Sequence, residues 1–289
     1  MLDLPRSCDA VLSDGRVQKY SLYGPEDGYP VVFQGGSPAT RWKRASVVRA
    51  MAESGCRIVV PDRPGYGGST RSRGRRVADV ARDVETLVDT LKWNRFAVSG
   101  GSGGGPHALA CAALLGDRVT RCAVVSGITP PLTEGPRPSE DAQDPRRNVT
   151  SWLAARGEDQ LRQEVERVAA SIMAGIEAGG PEMLPDLARP CNEPPAKDSP
   201  ESMARLRATF QTSHDGWVDD NIAFAMPWGF DISSVTTPVG VWWGNEDARG
   251  LFYAQELLAQ LPDSSGHDYV GGHLQPDASF RQMLAWLRA

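Results

Sequence analysis

The chain has 289 residues, with 31 Lys and Arg against 36 Asp and Glu, for a formal net charge of −5. That mildly acidic balance offers no basic footprint for nucleic acid or an anionic membrane surface, and no apolar run approaches the roughly 20 residues of a membrane-spanning helix. The opening Met1-Leu2-Asp3-Leu4-Pro5-Arg6 lacks the basic and apolar pattern of an export leader, so a soluble, cytoplasmic protein is the expectation.

Taken in chain order, Cys8 to Ser13 and Val17 to Tyr23 read as a hairpin turned by Asp14-Gly15. Short apolar runs follow at Val31–Phe33, Arg57–Val60, Arg95–Val98, Cys122–Val125 and Val239–Trp243, the signature of strands buried on both faces of a parallel sheet. Helix-period segments lie between and after them: Arg44–Ser54, Val77–Leu91, Pro106–Leu115, Phe252–Leu261 and Phe280–Leu287. In the second of these, Val77, Val80, Ala81, Val84, Leu87, Val88 and Leu91 mark one helical face. Strands alternating with helices predict an α/β architecture. Five scattered cysteines, odd in number and without a Cys-x-x-Cys pair, exclude a disulfide framework. Cys56, Cys111 and Cys122 read instead as small buried residues.

The alternation breaks between about Pro130 and Pro227. This proline-rich stretch shows no clear strand, but an amphipathic helix at Leu161, Val165, Val168, Ile172 and Ile176, and a second helix over Glu201–Phe210. A helical insertion is expected, because a hundred structureless residues are improbable inside a compact domain. The expected division is a first core part at 1–130, the inserted lid at 131–227 and a second core part at 228–289. The cluster Arg71, Arg73, Arg75 and Arg76 reads as a solvated face.

Gly100-Gly101-Ser102-Gly103-Gly104 fits G-x-S-x-G, and its context decides what that match is worth. An apolar strand enters the motif and an Ala/Leu-rich helix leaves it, the setting in which a serine is raised on a sharp turn above a helix N-terminus. Small residues two before and two after the serine are what so tight a turn requires. A flexible glycine loop or a phosphate cradle is the competing reading; the lysine of a phosphate loop is absent.

On these residues the sequence resembles the α/β-hydrolase family over nearly its whole length. Asp62-Arg63-Pro64-Gly65-Tyr66-Gly67-Gly68-Ser69 is similar to the loop after the fourth strand in esterase and aminopeptidase-like members. The resemblance implies a nucleophile, acid and histidine in that chain order. It places the acid at Asp247, in Trp242-Trp243-Gly244-Asn245-Glu246-Asp247, with Glu246 as its rival, and the histidine at His273, in Gly271-Gly272-His273-Leu274. The other histidines fit the base less well: His107 follows the elbow on a helix and packs below it, His267 belongs to a strand, and His214 lies in the insertion. The implied oxyanion hole uses the N–H groups of Gly103 and of Gly36, in Gln34-Gly35-Gly36-Ser37-Pro38. Gln34 stands where the family often has histidine, which leaves the bracing of this loop open.

The expected chemistry is acyl transfer to water by Ser102, Asp247 and His273, with no metal or organic cofactor and a small-molecule substrate, and with Gln34, His214 and Trp217 as candidate substrate contacts. An ester or lactone of a small to medium apolar compound is the first expectation. A proline-iminopeptidase-like aminopeptidase is the second, with Glu164, Glu166, Asp219 and Asp220 as candidates to hold a substrate amine. A non-hydrolytic acyltransferase, cyclase or ligand-binding protein of this fold is the third.

Overall fold

Successive residues along the central strands point to opposite hydrophobic clusters, and this is what organises the protein. The computed structural model describes residues 6–43, 45–131, 154, 156–177, 207, 209 and 213–289. Eight strands form one sheet: β1 (Ser7–Val11), β2 (Val17–Tyr23), β3 (Tyr29–Gln34), β4 (Cys56–Pro61), β5 (Phe96–Gly101), β6 (Val119–Val125), β7 (Val239–Gly244) and β8 (Ser264–Tyr269). Their order is β1-β2-β4-β3-β5-β6-β7-β8. The β1–β2 and β2–β4 pairs are antiparallel and all the others parallel. The hairpin turn falls at Asp14-Gly15 as expected, with Gly15 at φ 85°.

Val32, Val59, Val98, Val124 and Val241 face one cluster, with α2 (Val80–Thr90), α3 (Gly105–Leu114) and α6 (Ala248–Gln260) packed on it. Their neighbours Val31, Ile58, Ala97, Ala123 and Trp242 face the other, covered by α1 (Ala45–Glu53) and α7 (Asp277–Arg288). Each fully buried aliphatic side chain contributes about 1.5–3 kcal/mol, so strands buried on both faces read as continuous apolar runs and not as alternation. Cys56, Cys111 and Cys122 are buried as expected. The helix expected from Val77 starts as a single 3-10 turn, Val77–Asp79, before α2.

Two further helices fall within residues 131–227. In α4 (Glu158–Glu177), Leu161, Val165, Ala169 and Ile172 are buried on one face, in a cluster with Tyr66, Trp217 and Val218. The α5 helix (Asp215–Ala225) carries Trp217 and Val218 into that cluster and Ala223 and Phe224 into the main core. Of the helix expected over 201–210 only residues 207 and 209 are described, so that expectation lies outside the described residues. Among the described residues no helix is long and apolar enough to cross a membrane.

The reading of the arginine cluster as a solvated face needs correction. Arg73 is exposed, but Arg75 is only 7% exposed and donates to Asp220 Oδ1 at 2.5 Å. Arg71 spans to Asp215, Asp219 and Glu158. These side chains tie the segment after β4 to α4 and α5, whose acidic partners lie about 85 to 150 residues on.

The chain leaves β3 toward β4 on one side, whereas β5 and the strands after it continue on the other. At such a switch point the loops after neighbouring parallel strands diverge and leave a crevice at their carboxyl ends. The loops that open there are Gly35–Ser37 and the turn at Ser102.

Candidate active site

Ser102 sits at the end of β5 with φ 50°, a left-handed conformation for a residue with a side chain. Such strain costs on the order of 1–3 kcal/mol and needs tight surroundings to hold it. Here they are backbone. A Cβ on Gly100 would lie 2.1 Å from the Gly104 carbonyl oxygen, and one on Gly104 would lie 2.2 Å from the Gln34 carbonyl oxygen. The turn thus closes only with glycine at both places. It leads through Ser102–Gly104 into α3, whose start carries no side-chain cap and whose dipole favours negative charge. Pro106 falls in the first turn, where a missing N–H costs little.

The acid and the histidine meet across two loops. His273 Nδ1 and Asp247 Oδ2 are 2.8 Å apart, while Asp247 Oδ1 accepts from the Gly250 N–H at 2.9 Å and so caps α6. Burial acts to raise the Asp247 carboxyl, but the bonds from His273 and Gly250 outweigh it and hold it below its ordinary value. Glu246, the rival, is exposed. The loops are joined by backbone, with Glu246 N–H donating to the Gly271 carbonyl at 2.9 Å and Asn245 N–H to that of Tyr269 at 2.9 Å. Gly244 makes the approach possible, because a Cβ there would lie 2.1 Å from the Gly272 carbonyl oxygen. The Tyr269 hydroxyl donates to the His273 carbonyl at 3.2 Å.

Gly36 lies beside the serine: a Cβ built on it would be 3.6 Å from Ser102 Cβ. Gly103 follows the serine directly, against Ser37, whose Oγ would be 2.5 Å from a Cβ there. The two candidate donors therefore flank Ser102 from different loops. Gln34 is fully buried, and its side-chain amide has no hydrogen-bond partner among the described residues. Trp217 packs in the cluster of Tyr66, Leu161 and Val165 that seats α4. His214 precedes α5, where its carbonyl accepts from Trp217 and Val218 N–H. His107 packs below the elbow, as expected, with Nδ1 2.9 Å from the Gly103 carbonyl oxygen. Its burial and the charge of Arg63 push it down to about 3, so the ring is neutral near pH 7.

A polar network that the sequence did not indicate lies behind these groups. Asp220, fully buried, accepts from Arg63 at 2.7 Å, Arg75 at 2.5 Å, the Tyr66 hydroxyl at 2.9 Å and the Ser37 hydroxyl. Burial alone would raise its carboxyl; the two guanidiniums hold it well below the usual carboxylate range. Arg63 and Tyr66 belong to the Asp62–Ser69 motif, the one sequence signal that pointed here. Asp62 itself turns away to Arg41. Asp220 was a candidate only for holding a substrate amine, and nothing in the sequence marked this pairing, because its arginine and tyrosine partners lie about 150 residues earlier.

The alpha/beta hydrolase fold family matches residues 29–274. An uncharacterized hydrolase of Bacillus subtilis (strain 168), YcgS, is 28% identical over 126 residues, covering 44% of this chain and 43% of that protein. The chain spans less than half the length of the curated relatives it matches. Among solved structures, the enol-lactonase from Burkholderia xenovorans LB400 aligns over 97% of this chain and 99% of its own, with TM-score 0.68 and 19% identity. A thermophilic esterase from Thermogutta terrifontis aligns over 98% and 97%, with TM-score 0.67 and 22% identity. At these identities the structural likeness concerns the fold alone. With the family match extending over residues 29–274, the chain belongs to the alpha/beta hydrolase fold family.

Proposed function

We propose that the protein is a serine hydrolase that cleaves a carboxylic ester or lactone of a small to medium apolar compound through an acyl-enzyme on Ser102. The observation that carries this reading is the His273–Asp247 hydrogen bond in a fold whose elbow presents Ser102 at φ 50°. In this mechanism His273 takes the Ser102 proton as the hydroxyl attacks the carbonyl, and the Asp247 carboxylate holds the tautomer and stabilises the imidazolium. The N–H groups of Gly36 and Gly103 receive the oxyanion. His273 then protonates the leaving alcohol, and water repeats the sequence to free the acid. The segment 131–227 serves as the lid, with Gln34, His214 and Trp217 among the groups that meet substrate.

The aminopeptidase alternative needs a carboxylate free to hold an amine. Of its four candidates, Asp219 is engaged by Arg71, Asp220 by Arg63 and Arg75, and Glu164 by Arg167, while Glu166 is exposed on α4. Those engagements favour the ester reading.

The test is intact mass after incubation with a fluorophosphonate. One adduct on the wild type, absent from Ser102→Ala and formed slowly by His273→Ala and Asp247→Asn, supports the reading. A panel of p-nitrophenyl esters, lactones and aminoacyl-nitroanilides then separates its branches. A folded wild type that takes no adduct and hydrolyses nothing in the panel overturns it in favour of a binding protein.

A further inference from the structure

Arg63 is only 2% exposed, and most of its bonds go to the loop that carries Gly36. One guanidinium nitrogen, Nη1, donates to the Gly35 carbonyl oxygen at 2.5 Å. The other, Nη2, donates to the Gly36 carbonyl oxygen at 2.7 Å and to Ser37 Oγ at 2.9 Å. Gly36 thus has the peptide unit before it and the one after it both tied to a single side chain. The Gly35 carbonyl and the Gly36 N–H belong to the same peptide unit, which is trans. In a trans peptide the two groups point in opposite directions. A carbonyl fixed on Arg63 therefore turns the N–H away from Arg63, on a residue that borders Ser102.

The same bond acts on the strength of the donor. A cation on the carbonyl oxygen draws electron density through the amide and polarises its N–H, and hydrogen bonds in series reinforce one another in a site of low dielectric. The polarising charge is the Arg63 guanidinium itself, which touches the carbonyl directly, whereas Arg75 bonds only Asp220 and Gly216 among the described residues.

We propose that Arg63 is a positioning residue for the oxyanion hole: held by Asp220 from α5, it orients and polarises the Gly35–Gly36 peptide so that its N–H meets the oxyanion formed at Ser102. This proposal rests on the serine-hydrolase reading. It also supplies a brace for the loop in which Gln34 stands in place of the family's frequent histidine. The brace joins the loop after β4 to α5, because Asp220 lies 157 residues beyond Arg63.

Arg75 provides a matched control. It contributes a bond and a charge to Asp220 as Arg63 does, yet its other bond goes to Gly216 in α5 and none goes to the Gly35–Ser37 loop among the described residues. Either arginine can be replaced while the other still pairs Asp220. The experiment measures fluorophosphonate inactivation, resolved into KI and kinact, together with Tm, for the wild type, Arg63→Met, Arg63→Lys and Arg75→Met. Arg63→Met is expected to lower kinact by about 10²-fold, the scale of losing one oxyanion donor, with KI within threefold. Arg63→Lys, which keeps the charge but not the fork, falls between. Arg75→Met is expected to lower Tm as much as Arg63→Met and to keep kinact within threefold of wild type.

Equal losses of kinact in Arg63→Met and Arg75→Met would reduce Arg63 to a structural role and overturn the proposal. So would a kinact within threefold of wild type in Arg63→Met. If Arg63→Met does not fold, Arg63→Lys carries the test alone, and a kinact within threefold of wild type overturns it. A wild type that takes no adduct and hydrolyses nothing in the panel overturns the hydrolase reading and this proposal with it. One that hydrolyses without labelling moves the same comparison to kcat and KM, and an active wild type with an unaffected Arg63 variant overturns only the brace.

Discussion

His273 and Asp247, 26 residues apart, are joined by a 2.8 Å hydrogen bond, and the same carboxylate uses its other oxygen to cap the helix that follows it. The two oxygens separate chemistry from stability. Asp247→Asn keeps an oxygen for the Gly250 N–H, while an amide facing His273 Nδ1 favours the wrong tautomer. We expect kcat on a p-nitrophenyl ester to fall about 10³–10⁴-fold with Tm nearly unchanged. Asp247→Ala removes the cap as well and lowers stability by a further amount of about 1 kcal/mol. Steady-state kinetics and thermal unfolding of the pair check both statements.

The elbow is closed by backbone atoms that can give way only by shifting the loop they belong to. Gly104→Ala puts a methyl 2.2 Å from the Gln34 carbonyl oxygen and 2.6 Å from that of Gly35. The expected loss is about 1–3 kcal/mol or more from overpacking. Because the displaced loop carries Gly36, fluorophosphonate labelling of Ser102 falls in the folded fraction too. Denaturant unfolding and labelling rates on one preparation test this.

The α4 helix rests on a small cluster of its own. Leu161 is fully buried there against Tyr66, Trp217 and Val218. Leu161→Ala leaves a cavity worth about 2–5 kcal/mol, and that loss is expected to appear first as local opening. Amide exchange over residues 158–177 accelerates, while the amides of β3 and β5 keep wild-type protection. Uniform acceleration across the sheet would show that α4 opens only with the whole protein.

Acid stability carries the mark of His107. Burial, with the charge of Arg63, pushes it down to about 3 in the folded protein, against an ordinary value of 6.5. An unfolded chain takes up a proton near pH 6.5 that the folded chain refuses. The stability from this group is therefore complete above pH 6.5 and is lost as pH falls toward 3, by at most about 1.4 kcal/mol per unit. His107→Asn, with an amide N–H near the Nδ1 position, is expected to remove that slope. His267, also lowered by burial, stays in the variant, so the difference between the two proteins isolates His107. Denaturant unfolding at pH 5 and pH 7 reads it, above the range where Asp220 begins to matter.

The sheet was legible because burial on both faces leaves a local trace: Val31–Val32–Phe33 and Val239–Gly240–Val241–Trp242 are apolar without alternation since their side chains enter two cores in turn. The elbow was legible for a similar reason. A turn that brings Gly104 O to within 2.1 Å of a Cβ on Gly100 imposes glycine at fixed offsets from Ser102, and such a constraint is written within five residues. Leu161, Val165 and Ile172 likewise announced α4 through their spacing. The arginines misled because exposure has no local signature: Arg73 meets solvent and Arg75 does not, though both lie in the same run of charge.

Sequence alone thus determined the α/β layering and the strained turn at Ser102, since each rests on interactions between near neighbours or on a burial pattern repeated along one element, whereas the loops of Asp247 and His273 were singled out by the family resemblance. Only the tertiary structure decided which carboxylate pairs with which cation. Asp220 draws Arg63, Arg75, Tyr66 and Ser37 from segments far apart in the chain, and the cost of a buried charge forces that pairing without leaving any periodicity at the residues that make it.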